Sequence, residues 1–319
     1  MLGLKWDKVT YLILLSFQNV FHTLAMRYSR AEYRLKYFTS SVVILSEIIK
    51  FLISSFMLLQ EKSPKHALSG IYYDPVDFFR TCIPAFIYVI QNSVLLFALS
   101  YLDAAIFQVT YQLKLFTTTI FSVLFLNRQL STVQWISQVV LFVGVAAVQL
   151  QEQSENSSSF TSTSSPSMIG LAAVIFASLL SGFSAVYFEK ILKNSPKSLW
   201  VRNFELSMAS IFIATVGQML GEREEVVEKG FFYGFDWLVW TTIALQSIGG
   251  IIVALVVKHT DNILKGFACS ISIIITCIIS VFFFNARLSW TFLFGTTCVV
   301  TAVVLYSAFP YKVGPKKAV

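Results

Sequence analysis

The chain has 319 residues, of which 56% are hydrophobic and 13% charged, with a mean hydropathy of +0.70 and a formal net charge of +7. This composition excludes a soluble domain, and the surplus of base points to membrane topology rather than to nucleic acid, because Lys and Arg accumulate in cytosolic loops. The four cysteines, Cys82, Cys269, Cys277 and Cys298, lie in or beside apolar runs with no CxxC pair and no His cluster nearby, which argues against a disulfide framework and against a metal site.

Ten apolar segments follow one another at about 8–27, 38–60, 80–100, 104–126, 131–150, 168–189, 198–220, 236–257, 262–284 and 288–309, each long enough to cross a bilayer. The first runs on into "FHTLAMRYSR" and reads as a retained helix rather than a cleaved signal peptide. Ten spans place both termini on one side. Putting them in the cytosol gives that side twice as many of the 24 Lys and Arg as the other, where the acidic "GEREEVVE" (221–228) also falls. Lys50, Lys114 and Lys265 remain inside spans.

In the second span Lys50 follows Glu47 by three residues, so a local ion pair competes with a ligand role. The third carries "FIYVIQN", in which Tyr88 and Asn92 share a helix face with Gln91 at its border; they could meet one ligand or bond to neighbouring helices. Lys114 stands about ten residues from either end of the fourth span, on the order of 15 Å from each surface at 1.5 Å per residue, too deep to snorkel. A cation there costs roughly 2.5–3.5 kcal/mol and needs a partner or a wet cavity. The competing reading is a structural pair with Glu47, Glu205 or Asp261.

The segment "QEQSENSSSFTSTSSPS" (151–167) reads as a disordered linker, with Asn156-Ser157-Ser158 as a glycosylation sequon on the non-cytosolic side. Beyond it, Ser181, Gly182, Gly249 and Gly250 suit close helix packing, and Gly182 also offers room for a ligand. Asn203 and Glu205 near the start of the seventh span serve either a ligand or an interfacial cap. Lys265 lies four residues after Asp261, again with a local pair as the alternative.

Embedded cations without a matching set of acids favour an anionic substrate, and phosphate suits the point charge of an ammonium. "LNRQLS" (126–131) and "FNARLS" (284–289) share Asn, Leu and Ser, a weak sign of two repeats that five spans each would make inverted, the usual plan of secondary transporters. The chain has no GxxxxGK[ST] loop, no HExxH and no GxSxG, and nothing suggests catalytic residues or a cofactor. The expected fold class is therefore an all-α polytopic membrane protein with a first repeat at 1–150, the linker at 151–167, a second repeat at 168–309 and a cytosolic tail at 310–319.

"LDAAIFQVTYQLK" (102–114), "SGFSAVYFEKILK" (181–193), "LWVRN" (199–203), "KGFFYGF" (229–235) and "TDNILKGF" (260–267) closely resemble the Golgi nucleotide-sugar transporters of the branch that carries UDP-galactose, UDP-N-acetylglucosamine and CMP-sialic acid. The resemblance implies a ten-helix drug/metabolite-transporter fold in the Golgi membrane that exchanges a cytosolic nucleotide sugar for lumenal nucleoside monophosphate. It also implies that Lys114 and Lys265 approach the phosphates while Tyr88, Asn92 and Asn203 hold the nucleotide. "LKLFTTTIFSV", "ALQSIGG" and "ILKGFACSISI" look more like the UDP-sugar members, which points to UDP-sugar and UMP as ligands; a CMP-sialic acid/CMP exchanger is the alternative and a membrane-bound enzyme using a nucleotide sugar is a more distant one. Ser93, Tyr101 and Glu205 depart from the pattern, and an added carboxylate at Glu205 would repel an anion unless paired. The terminal "GPKKAV" resembles a dilysine retrieval signal, with Lys316-Lys317 open to coat-protein recognition and cycling through the endoplasmic reticulum, or else a basic cytosolic tail. Oligomeric state is left open.

Overall fold

The computed structural model describes residues 6–29, 37–60, 75–99, 101–102, 104–156, 168–194, 197–284 and 290–311. Among them the regular structure is entirely helical: α1 (Trp6–Ser29), α2 (Thr39–Leu59), α3 (Pro75–Leu99), α4 (Ala104–Tyr111), α5 (Leu113–Leu126), α6 (Thr132–Asn156), α7 (Met168–Asn194), α8 (Leu199–Gly221), α9 (Arg223–Lys229), α10 (Trp237–His259), α11 (Asn262–Phe284) and α12 (Trp290–Ala308). Eight described stretches are long and apolar enough to cross a membrane, and Thr132–Val148 and Asn262–Thr276 are shorter apolar helical stretches. The protein is thus an all-helical, polytopic membrane protein.

Four spans differ from the hydropathy reading, among them the sixth, whose helix runs on from 189 to Asn194. The third span begins at Pro75 rather than at 80, because Pro is favoured in the first helical position and Asp77 complements the helix dipole in a turn too polar to count as a span. The fourth is two helices, α4 and α5, parted at Gln112 by a tightened turn in which Gln112 N–H donates to the Val109 carbonyl at 3.1 Å and Leu115 N–H to the Gln112 carbonyl at 2.9 Å. The fifth continues through "QEQSEN", so the first six residues assigned to the linker are helical; Gln and Glu are good helix formers, and helix need not stop where apolarity does. Residues 157–167, 285–289 and Lys316-Lys317 lie outside the described set.

Helix starts follow local chemistry. Ser131 and Gln134 form a capping box for α6: Ser131 Oγ accepts from Gln134 N–H at 3.2 Å, and Gln134 Oε1 accepts from Ser131 N–H at 3.1 Å. Ser198 caps α8 through Val201 N–H, and Asp236 caps α10 through Val239 N–H. Asn127, the Asn shared by "LNRQLS" and "FNARLS", takes the left-handed conformation that closes α5.

The chain divides into two compact units, one of residues 94–186 and 273–319 with 1–5, the other of 6–93 and 187–272. In the first unit α6 packs along α12. Gly144 and Gly295 make the approach possible, since a Cβ on Gly144 would lie 2.8 Å from the Gly295 carbonyl oxygen. One end is tied by Ser131 Oγ donating to the Phe309 carbonyl at 2.7 Å. In the second unit α10 packs against α1, α2 and α8, and α2 packs against α8. Lipid supplies no hydrophobic drive between helices, so the serine bonds matter there: Ser247 Oγ donates to the Ser46 carbonyl and Ser272 Oγ to the Ser16 carbonyl, both at 3.1 Å.

Candidate functional site

In the first unit Lys114 sits two residues past the break at Gln112. Its ammonium lies 4.3 Å from the centroid of the Tyr111 ring, so a cation–π contact holds the charge that apolar neighbours could not. The Lys114 carbonyl accepts from Thr118 Oγ1 at 2.7 Å and from Thr117 Oγ1 at 3.1 Å, while Thr117 Oγ1 also reaches the Ser178 carbonyl at 2.7 Å. Over Gly182 the space is taken: a Cβ there would stand 2.7 Å from backbone atoms of Thr117 and Thr118. Gly182 lets α7 approach α5, the packing role, and so helps seat the turn that carries Lys114.

In the second unit the local pair of Lys50 is formed, Nζ to Glu47 Oε1 at 2.6 Å. Gly250 makes room for it, since a Cβ there would lie 2.6 Å from Lys50 Cδ; Gly249 does the same for Gln18. These glycines accommodate side chains, where the sequence suggested close backbones. Lys265 occupies the first turn of α11, half-buried. That turn is anchored by two carboxylates. Asp261 Oδ1 accepts from Leu264 N–H at 2.8 Å, and buried Glu189 Oε2 accepts from both the backbone and the side-chain nitrogen of Asn262 at 2.9 Å. The other Glu189 oxygen pairs with Lys193 at 2.6 Å.

Tyr88 is 37% exposed and Gln91 is buried on α3; the side chain of Asn92 lies outside the described set. Asn203 is buried on α8, its Nδ2 donating to the Leu199 carbonyl at 3.0 Å. A separate groove of about 600 Å³ between α3 and α8 is lined by Phe78, Phe79, Phe86, Phe212 and other apolar side chains, which suits lipid rather than a polar ligand.

The largest electrostatic feature of this unit links the starts of α3 and α8. Arg202 Nη2 reaches both oxygens of Asp77 at 2.9 Å, and its Nη1 reaches Glu205 Oε2 at 2.9 Å and Thr81 Oγ1 at 2.8 Å. Lys197 bridges Asp77 Oδ2 and Glu205 Oε1, each at 2.7 Å. Glu205 is fully buried and Arg202 is 2% exposed.

The profile of the family described as Nucleotide-sugar transporter matches residues 5–307. The chain belongs to that family. Being a nucleotide-sugar transporter, it is a carrier and not an enzyme. It is 44% identical over 307 residues to the UDP-galactose/UDP-N-acetylglucosamine transporter of Caenorhabditis elegans, covering 94% of this chain and 82% of that protein. It is 40% identical over 315 residues to the UDP-N-acetylglucosamine transporter of Mus musculus, covering 96% and 97%. A crystal structure with 12% identity shares the fold at a TM-score of 0.63 over 93% of this chain and 97% of its own.

Sequence reasoning singled out Lys50, Lys114 and Lys265 and missed the network of Asp77, Lys197, Arg202 and Glu205. Lys197 and Arg202 were counted as cytosolic loop charge, and Asp77 fell ahead of the assigned third span. The spacing of Arg202 and Glu205 at i,i+3 was the one legible signal. The network also answers the question raised by Glu205: its charge is matched by Arg202 and Lys197, so it adds no unbalanced negative field.

Proposed function

We propose that this nucleotide-sugar transporter is an antiporter that carries a UDP-sugar, UDP-galactose and/or UDP-N-acetylglucosamine, into the Golgi lumen in exchange for UMP. The observation that carries the reading is Lys114, a cation deep in an apolar span, just past a tightened helical turn and held against an aromatic ring. A cation at that depth faces either a partner or a wet cavity, which in a transporter is the substrate path. The nucleotide and the two sugars are those carried by the relatives named above.

In this reading Lys114 and Lys265 neutralise the phosphates, and Tyr88, Gln91, Asn92 and Asn203 hold the nucleoside. Lys50, paired to Glu47, contributes to the polar lining, and Gly182 seats the Lys114 turn. In the same reading ten helices in two inverted five-helix repeats put both termini on one side, and the excess of Lys and Arg makes that side the cytosol. UDP-sugar and UMP share the nucleotide, so one central site serves both directions by alternating access.

Proteoliposomes preloaded with UMP test this directly. They take up labelled UDP-galactose or UDP-N-acetylglucosamine, UMP competes and CMP does not, and Lys114→Ala abolishes uptake. Undiminished exchange in that variant overturns the assignment, and competition by CMP alone redirects it to the CMP-sialic acid exchanger.

A further inference from the structure

Arg202 and Glu205 are withdrawn from water, and Lys197 and Asp77 partly so, to build the network of Asp77, Lys197, Arg202 and Glu205. Stability alone does not explain it, because well-packed apolar residues of similar volume commonly stabilise a buried site as well or better. What such a network supplies that apolar packing does not is direction. The guanidinium is a planar fork with fixed donor geometry. Here it engages Asp77 through Nη2 and Thr81 through Nη1, two successive turns of α3. One contact would fix a distance. Two contacts one turn apart, with Lys197 on the outer carboxylate oxygen, fix both the rotation of α3 and its height against α8.

Two helix periods carry that information to the residues assigned to the nucleotide. On α3, Tyr88 follows Asp77 by eleven residues, close to three turns of 3.6 and with Pro84 between them, so the helix period relates it to the face that the network holds. On α8, Arg202 immediately precedes Asn203 and Glu205 follows it by two, so the lock on their side chains sets the azimuth of Asn203, whose own rotamer is held by Leu199. Among the described residues the network sets two cations against two carboxylates.

We infer that the Asp77–Arg202–Glu205–Lys197 network is a positioning device for nucleotide recognition, presenting Tyr88 from α3 and Asn203 from α8 at a fixed mutual orientation. This rests on the functional reading given above, in which those two residues contact the nucleotide. Arg202 and Glu205 are positioning residues, acting through Asn203.

A double-mutant cycle on UMP-loaded proteoliposomes tests it, with the KM and maximal rate of UDP-sugar uptake as readouts. Glu205→Gln, near-isosteric, and Asp77→Asn each raise KM at least fivefold while the maximal rate stays within about twofold, the pattern of lost binding. Asn203→Ala also raises KM. Adding Glu205→Gln to it raises KM less than twofold further, because the two act through one contact. If the effects multiply, or if Glu205→Gln lowers thermal stability and leaves KM unchanged, the network is structural only and the inference is overturned. Should Asp77→Asn fail to fold, the Glu205/Asn203 cycle decides alone. Wild-type exchange with an unaltered KM in Glu205→Gln removes this inference and leaves the functional reading standing; absence of wild-type exchange removes both.

Discussion

Replacing Glu205 with alanine takes one partner out of a buried network and leaves the others in place. The carboxylate accepts from Arg202 at 2.9 Å, from Lys197 at 2.7 Å and from Thr81 at 3.2 Å, with no exposed side-chain surface. After truncation two cations face the single charge of Asp77, and Arg202 stays 2% exposed. Breaking a buried pair by removing one partner costs about 3–5 kcal/mol, chiefly the uncompensated charge left behind. Glu225→Ala is the internal control: its pair with Lys229 spans 3.2 Å at an exposed i,i+4 position, where such pairs contribute about 0.3–0.5 kcal/mol. Thermal unfolding of both variants in one detergent therefore separates them. Glu205→Ala lowers the midpoint by several degrees, on the order of 5–10 °C at roughly 2 °C per kcal/mol for a chain of this size. Glu225→Ala shifts it by about 1 °C or less. Equal shifts in the two variants refute the reasoning, since burial would then not govern the cost.

Tyr111→Leu removes the ring under Lys114 while keeping bulk, and loss of a partly desolvated cation–π contact of about 0.5–2 kcal/mol weakens UDP-sugar binding roughly 2- to 30-fold, read as KM in the exchange assay. Gly144→Ala puts a Cβ within 2.8 Å of the Gly295 carbonyl and destabilises by about 1–3 kcal/mol through overpacking. Gly217→Ala, in helix α8 with no atom within 4 Å of the new Cβ, is neutral or stabilising by about 0.4–1 kcal/mol, and thermal unfolding distinguishes the two. Asp236→Ala deletes the cap on Val239 N–H and costs about 0.5–2 kcal/mol; Asp236→Asn retains most of it, measured in the same way.

Composition and periodicity by themselves determined that this chain is a membrane protein built of apolar helices, because a bilayer demands long runs without charge and the pattern needs no partner to be read. The same logic isolated Lys50, Lys114 and Lys265, since a cation stands out against such a background. The pair at Lys50 and Glu47 was equally legible, as i,i+3 spacing is local.

Tertiary structure alone decided what each polar group meets. Hydropathy averages over a window and is blind to one tightened turn, so the break at Gln112 was hidden inside an unbroken apolar run. Gly249 and Gly250 looked like backbone contacts, yet they clear space for Gln18 and Lys50, which come from other helices. Asp77 and Thr81 are more than a hundred residues from Arg202 and Glu205, and no local spacing relates them. Their juxtaposition follows from which helix faces meet, and that gave an apparently repulsive Glu205 two cationic partners, Arg202 and Lys197.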